Sequence, residues 1–121
     1  MAETSIFLAG NLTDDPELRH TSSGTARATF RVAVSGRVRD GEGWRDGEPA
    51  FYAVVVWRDQ AEHAAESLAK GSRVVVVGGL AQRSWQADDG ATRSAVEVVA
   101  DELGPSLRWA TATPARTARP S

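Results

Sequence analysis

Between Thr25 and Ser35 the chain alternates. Ala26, Ala28, Phe30, Val32 and Val34 fall on one side, and Arg27, Thr29, Arg31, Ala33 and Ser35 on the other. A period of two is the pattern of a strand with one buried face. Ser5 to Leu12 is an apolar start that reads as a first strand. Asp14-Asp15-Pro16 then makes a turn, and Glu17 to Thr21 a short strand. Gly36 to Glu48 is polar and carries Gly41, Gly43 and Gly47, so a long, mobile hairpin end is expected there. Pro49 to Trp57 is the next strand. Phe51, Ala53, Val55 and Trp57 share one of its faces, and Tyr52, Val54 and Val56 the other.

The period then changes. Ala61, Ala64, Ala65 and Leu68 stand at helical spacing within Asp59 to Ala69. Asp59 with Glu62 resembles a capping box, and Lys70-Gly71 is a stop. Ser72 to Ala87 is a long strand with Gly78-Gly79 at a predicted bulge. Asp88-Asp89-Gly90 turns it back into Ala91 to Asp101, and Pro105 to Ala110 is a candidate for one more strand. Thr111 to Ser121 is small, polar and proline-containing, which predicts a short disordered basic tail after a domain of residues 1–110. Three strands, one helix and two strands predict an all-β OB-fold: a five-stranded Greek-key barrel with one helix between strands 3 and 4.

Composition narrows the chemistry. There are 0 Cys, so disulfides, thiolate metal sites and a cysteine nucleophile are excluded. His20 and His63 are far apart and cannot alone close a metal site. No glycine-rich phosphate loop and no acid–base–nucleophile set can be assembled, so an enzyme is not expected, nor is any cofactor. No signal peptide is visible, and the longest apolar run, Ala50 to Trp57, is too short to span a bilayer, so a cytoplasmic, nucleoid-associated protein that does not span a membrane is expected.

The net charge of -2 argues, at face value, against a nucleic-acid partner. Its distribution does not. Leu18 to Arg39 holds Arg19, Arg27, Arg31, Arg37 and Arg39 with no acid, and Ser67 to Ala87 holds Lys70, Arg73 and Arg83 with none. Segregated basic segments can bind a polyanion within a net acidic chain. The acids cluster in turns, in the glycine-rich loop and in the helix, where a barrel is expected to keep them off its binding face.

Arginines interleaved with exposed aromatics on strands suit single-strand binding, in which bases stack on rings and guanidiniums track phosphates. Arg73, Arg83 and Trp85 share parity on the long strand, subject to the bulge. Core packing is the competing reading for Phe51 and Trp57. For Trp85 it is an isolated exposed ring or a subunit contact.

The chain also resembles the bacterial single-stranded DNA-binding proteins over about residues 4–110. The resemblance rests on Gly10-Asn11-Leu12-Thr13, Asp15-Pro16-Glu17-Leu18-Arg19, Val54-Val55-Val56-Trp57, Leu68-Ala69-Lys70-Gly71-Ser72-Arg73-Val74, Gln82-Arg83-Ser84-Trp85 and Gly104-Pro105-Ser106-Leu107-Arg108-Trp109. The last motif is similar to an added strand of an actinobacterial-type subgroup. The resemblance implies a homotetramer that binds single-stranded DNA without strong sequence preference in replication, recombination and repair. It implies stacking by Phe51, Trp57 and Trp85, and basic contacts by Arg19, Lys70, Arg73 and Arg83. Arg31, Arg37, Arg39 and Arg93 join the list on parity and charge alone, and Trp109 is assigned to the oligomer interface.

Two departures stand out. Val38 occupies a position where the family has a tryptophan, and Trp44 is the candidate replacement. From Gly104 onward there are Arg108, Arg116 and Arg119 and no acid. That departs from the family's acidic tip and implies a short-tailed paralogue that does not recruit repair enzymes through such a tip. An OB-fold protein-interaction subunit and a single-stranded RNA-binding module are the alternative functions.

Overall fold

The computed structural model of the protein describes residues 4–41 and 43–118. Eight strands and one helix follow in the order β1 (Ile6–Leu12), β2 (Glu17–His20), β3 (Ala26–Val34), β4 (Arg37–Asp40), β5 (Gly43–Asp46), β6 (Ala50–Trp57), α1 (Arg58–Ser67), β7 (Arg73–Gln86) and β8 (Thr92–Pro105). The main sheet runs β1-β7-β8-β6-β3-β2. It closes because β1 also pairs with β3, through Asn11 opposite Ala33 and Leu12 opposite Val32. Five strands therefore form a barrel, and β2 lies against the other half of the β3 edge. The pairs are antiparallel except β6 with β8, which run parallel at Val54–Val98 and Val55–Val99. With α1 between β6 and β7, this is the OB-fold arrangement.

Closure depends on two glycines. A Cβ at Gly10 would stand 2.3 Å from the Ala33 carbonyl oxygen, where β1 meets β3. A Cβ at Gly78 would stand 2.0 Å from the Val99 carbonyl oxygen. Gly78 marks the expected irregularity. The β7–β8 register shifts between Val77 and Gly78, and the extra residue is Asp101 on β8. Its carbonyl accepts a hydrogen bond from the Gln60 side chain of α1 at 3.3 Å. Past the Leu80–Val98 pair, where β8 leaves β6, β7 and β8 continue as a two-stranded arm, turned by Gly90 at φ +84.

The core is small and aliphatic. Ala28, Val32, Val54, Val56, Val74, Val76 and Val98 pack around Phe30, and Ala61, Ala64 and Leu68 of α1 join the same cluster. No polar or charged residue among the described ones is buried.

One local expectation is met, that of a hairpin, and two change. Gly36 to Glu48 contains the β4–β5 ribbon, with Arg37 opposite Asp46 and Arg39 opposite Trp44. The ribbon forms a two-stranded sheet of its own. The candidate strand from Pro105 to Ala110 does not form. β8 itself extends to Pro105, and the Ser106 N–H donates to the Arg73 carbonyl at 2.8 Å before the chain leaves the sheet. The capping box is also absent: α1 starts at Arg58, its N-cap is Trp57, and no side chain caps it. Asp59 therefore lies inside the first turn, where its charge favours the helix dipole. No helix among the described residues is long and apolar enough to cross a membrane.

Candidate nucleic-acid interface

Residues directly opposite in an antiparallel pair share a face of the sheet. On β3 and β6 the outward pairs are Arg27–Trp57, Thr29–Val55, Arg31–Ala53 and Ala33–Phe51. On β7 and β8 they are Ala81–Glu97, Arg83–Ala95 and Trp85–Arg93. The parallel pairing of Val55 with Val99 joins these two sets into one outer surface.

Three rings stand exposed on it: Phe51 at 52%, Trp57 at 38% and Trp85 at 38%. Each lies under a guanidinium. Arg31 is 5.1 Å from the Phe51 centroid, Arg27 5.6 Å from that of Trp57, and Arg83 4.7 Å from that of Trp85. Such placement is favourable for the cation and orders both groups before any ligand arrives. Core packing is therefore not where Phe51 and Trp57 point. Their strand neighbours Val54 and Val56 fill the barrel instead.

The acids are not kept off this surface, contrary to expectation. Glu97 contacts Arg27 at 3.7 Å and Arg83 at 3.4 Å. Together with Asp14, Asp15, Glu17, Arg27, Arg31 and Arg83 it lines an open cleft of about 370 Å³. The acid-free windows are acid-free only along the chain. Barrel closure brings β8 and the β1–β2 turn beside them.

The remaining candidates divide by place. Arg19 is on the outward side of β2, ion-paired with Glu17. Arg93, on the arm, holds Asp89 at 3.0 Å. Lys70 is exposed after α1, and its backbone N–H donates to Asp15 Oδ1 at 2.8 Å, which ties the first turn to the loop before β7. Arg73 shares parity with Arg83 and Trp85 but starts β7, roughly 40 Å of extended chain from Trp85. Its row runs instead through Asn11 and Ala33 to Phe51. The Arg73 guanidinium lies 4.9 Å from the Trp109 centroid, as does that of Arg108, and Arg73 Nε is buried without a hydrogen bond. Trp109 thus rests against arginines of its own chain, outside any strand. Arg37, Arg39, Val38 and Trp44 lie in the β4–β5 ribbon. Among the described residues no group of three or more His, Asp or Glu is placed to hold a metal ion.

Two residues of this surface were not singled out from the sequence. Arg27 has the right parity on β3, a signal that was present in the alternation. Glu97 lies diagonally across the β7–β8 hairpin from Arg83, within reach of the predicted Asp88-Asp89-Gly90 turn, but its contact with Arg27 comes from a strand far away in the chain.

A barrel of this topology with an aromatic, arginine-lined outer face invites comparison with known proteins. The family model described as Single-strand binding protein family matches residues 3–106. The chain belongs to that family. Single-stranded DNA-binding proteins of Mycobacterium leprae and Mycolicibacterium smegmatis are 52% and 53% identical over 112 residues, which is 91% of this chain and 67% and 68% of theirs. The crystal structure of a small single-stranded DNA-binding protein from Streptomyces coelicolor superposes with a TM-score of 0.74 at 36% identity, covering 88% of this chain and 97% of that one. A member of the single-strand binding protein family is a binding protein, not an enzyme.

Proposed function

We propose that this chain coats single-stranded DNA without strong sequence preference and protects it during replication, recombination and repair. The observation that carries this reading is the set of three exposed rings, Phe51, Trp57 and Trp85, each under an arginine on one outer surface. Bases have a π-face whatever their sequence, so stacking platforms bind without reading. Arg31, Arg83 and Arg93 stand on that surface, Arg19 flanks it on β2, and Lys70 and Arg73 extend the cationic path around the barrel. Arg37 and Arg39 belong to the ribbon strand β4.

The domain that binds is residues 1–110, and residues 111–121 are an appendage bearing Arg116 and Arg119. Such a protein works at the nucleoid. It works as a homotetramer. Phe7 and Val77 are paired on the outward side of β1 and β7 and both are exposed, and Val96, Leu107 and Trp109 are exposed as well. Exposed apolar surface of this kind is usual at contacts between subunits. Light scattering is expected to give about four times the 12.9 kDa chain mass, and a monomer at micromolar concentration would contradict it.

Titration with oligo-dT, followed by tryptophan fluorescence at rising salt, tests the main reading. Quenching is expected at low salt, with affinity falling on a slope of about -0.7 per phosphate neutralised. A folded protein whose fluorescence oligo-dT leaves unchanged at low salt refutes it. The same titration with oligo-U ranks RNA against DNA.

A further inference from the structure

One group on the outer surface works against a polyanion. Glu97 has a side chain only 13% exposed, and its Oε2 lies 3.7 Å from Arg27 Nη2 and 3.4 Å from Arg83 Nε. The same two guanidiniums lie over Trp57 and Trp85. Contacts therefore run without a break from Trp57 through Arg27, Glu97 and Arg83 to Trp85. Asp14, Asp15 and Glu17 line the same cleft, so four carboxylates there face the three guanidiniums of Arg27, Arg31 and Arg83. A phosphate arriving at this point meets arginines that already hold an anion.

We propose that Glu97 is an internal counter-anion that competes with the DNA backbone for Arg27 and Arg83. The proposal rests on the reading that this surface binds single-stranded DNA. In the free protein the carboxylate holds both guanidiniums against their tryptophans. When a strand binds, a phosphate at Arg83 must either displace Glu97 or sit beside it. The Arg–Glu–Arg group offers the strand one net positive charge instead of two. Fewer phosphates are then neutralised, fewer condensed cations are released, and both affinity and salt dependence are lower than the arginine count implies. The Glu97 carboxylate is only 13% exposed while Arg83 is half exposed, so salt screens the contact with Arg27 less than the contact with Arg83. At this centre the rings and bases make the contact, and the phosphates pass to the arginines further out.

Glu97→Gln keeps the size of the side chain and removes its charge. The full chain is titrated with oligo-dT by tryptophan fluorescence across a salt series. Glu97→Gln is expected to bind about three- to fivefold tighter at low salt. Its salt slope is expected to steepen by about 0.7, the value for one more neutralised phosphate. Unchanged or weaker binding by a folded Glu97→Gln, with binding intact in the native chain, overturns the proposal, because Glu97 would then only orient the arginines. Failure of the native chain to bind oligo-dT overturns the functional reading itself. A second variant makes the test independent of how well Glu97→Gln folds. Arg83→Ala in the otherwise native chain is expected to flatten the salt slope by clearly less than about 0.7, since Glu97 already neutralises part of that charge. A loss of the full value overturns the proposal.

Discussion

On β3, Ala26, Ala28, Phe30 and Val32 face inward and are buried, while Arg27, Thr29 and Arg31 face the outer surface. β6 repeats the division, with Val54 and Val56 inward and Phe51 and Trp57 outward. The inner side is aliphatic and small, and the outer side is built of rings and guanidiniums. The core and the proposed binding surface are therefore built from alternate residues of the same strands, a separation that the period of two makes possible. Val55 is the exception. It has outward parity yet is buried, and it floors the surface between Thr29 and Val99. If the division is real, substitutions on the two sides must fail in different ways.

The largest effect belongs to the inner side. Among the described residues Phe30 is the one buried ring in a core of valine, alanine and leucine, with Tyr52 packed partly buried against it. Phe30→Ala is expected to lower unfolding stability by about 3–5 kcal/mol in urea titration. The fraction that remains folded should bind oligo-dT with native affinity. Weaker binding by that folded fraction would show that the core shapes the outer surface. Gly78 is expected to break the division from the other direction, because it acts through backbone. A Cβ there meets the Val99 carbonyl oxygen at 2.0 Å, just before the arm leaves the barrel. Gly78→Ala should cost about 1–3 kcal/mol, as forced overpacking does. It should also weaken DNA binding, since β8 must move and Trp85 stands on the arm it pairs with.

Outer-side effects are read in binding. Trp57→Ala and Trp85→Ala are each expected to weaken oligo-dT binding by about 1–3 kcal/mol, the value of one stacked base. Trp85→Ala should leave the urea midpoint nearly unchanged, because its neighbours on the arm are exposed. Trp57 also stands at the start of α1, so Trp57→Ala tests whether its ring has a structural role besides. Unchanged affinity in both variants would remove stacking from the account.

What the chain revealed on its own follows from how local each signal was. The alternation on β3, the helix stripe of Ala61, Ala64 and Leu68, and Gly78-Gly79 at the bulge all act within a few residues, and all were legible. The hairpin within Gly36 to Glu48 was legible from its glycines, but the bounds of its two short strands were not, because that sequence is polar and carries no apolar alternation. The end of β8 was misread for a related reason. Pro105 resembled the start of a strand, but pairing with Val74 makes it the last residue of one. Arg27 could have been read from parity. The contact of Glu97 with Arg83 follows from the hairpin, but its contact with Arg27 could not be read, since it depends on how β3 and β8 meet around the barrel.

Arg93 gives the smallest effect and the finest check on the outer side. Its guanidinium holds Asp89 Oδ2 at 3.0 Å, while Asp89 Oδ1 accepts from the Ala91 N–H at 3.0 Å. The turn therefore keeps its own hydrogen bond when the arginine is removed. Both side chains are more than half exposed, so their ion pair adds little to folding. Arg93→Ala should leave unfolding stability within about 0.5 kcal/mol of native, as most surface changes do. In binding, Arg93 faces the same competition as Arg83, but its carboxylate sits in open solvent, where salt already weakens the pair. The salt slope for oligo-dT should flatten by an amount between that of Arg83→Ala and the full value of about 0.7. A flattening smaller than that of Arg83→Ala would mean that the phosphates pass Arg93 by, although it stands directly opposite Trp85.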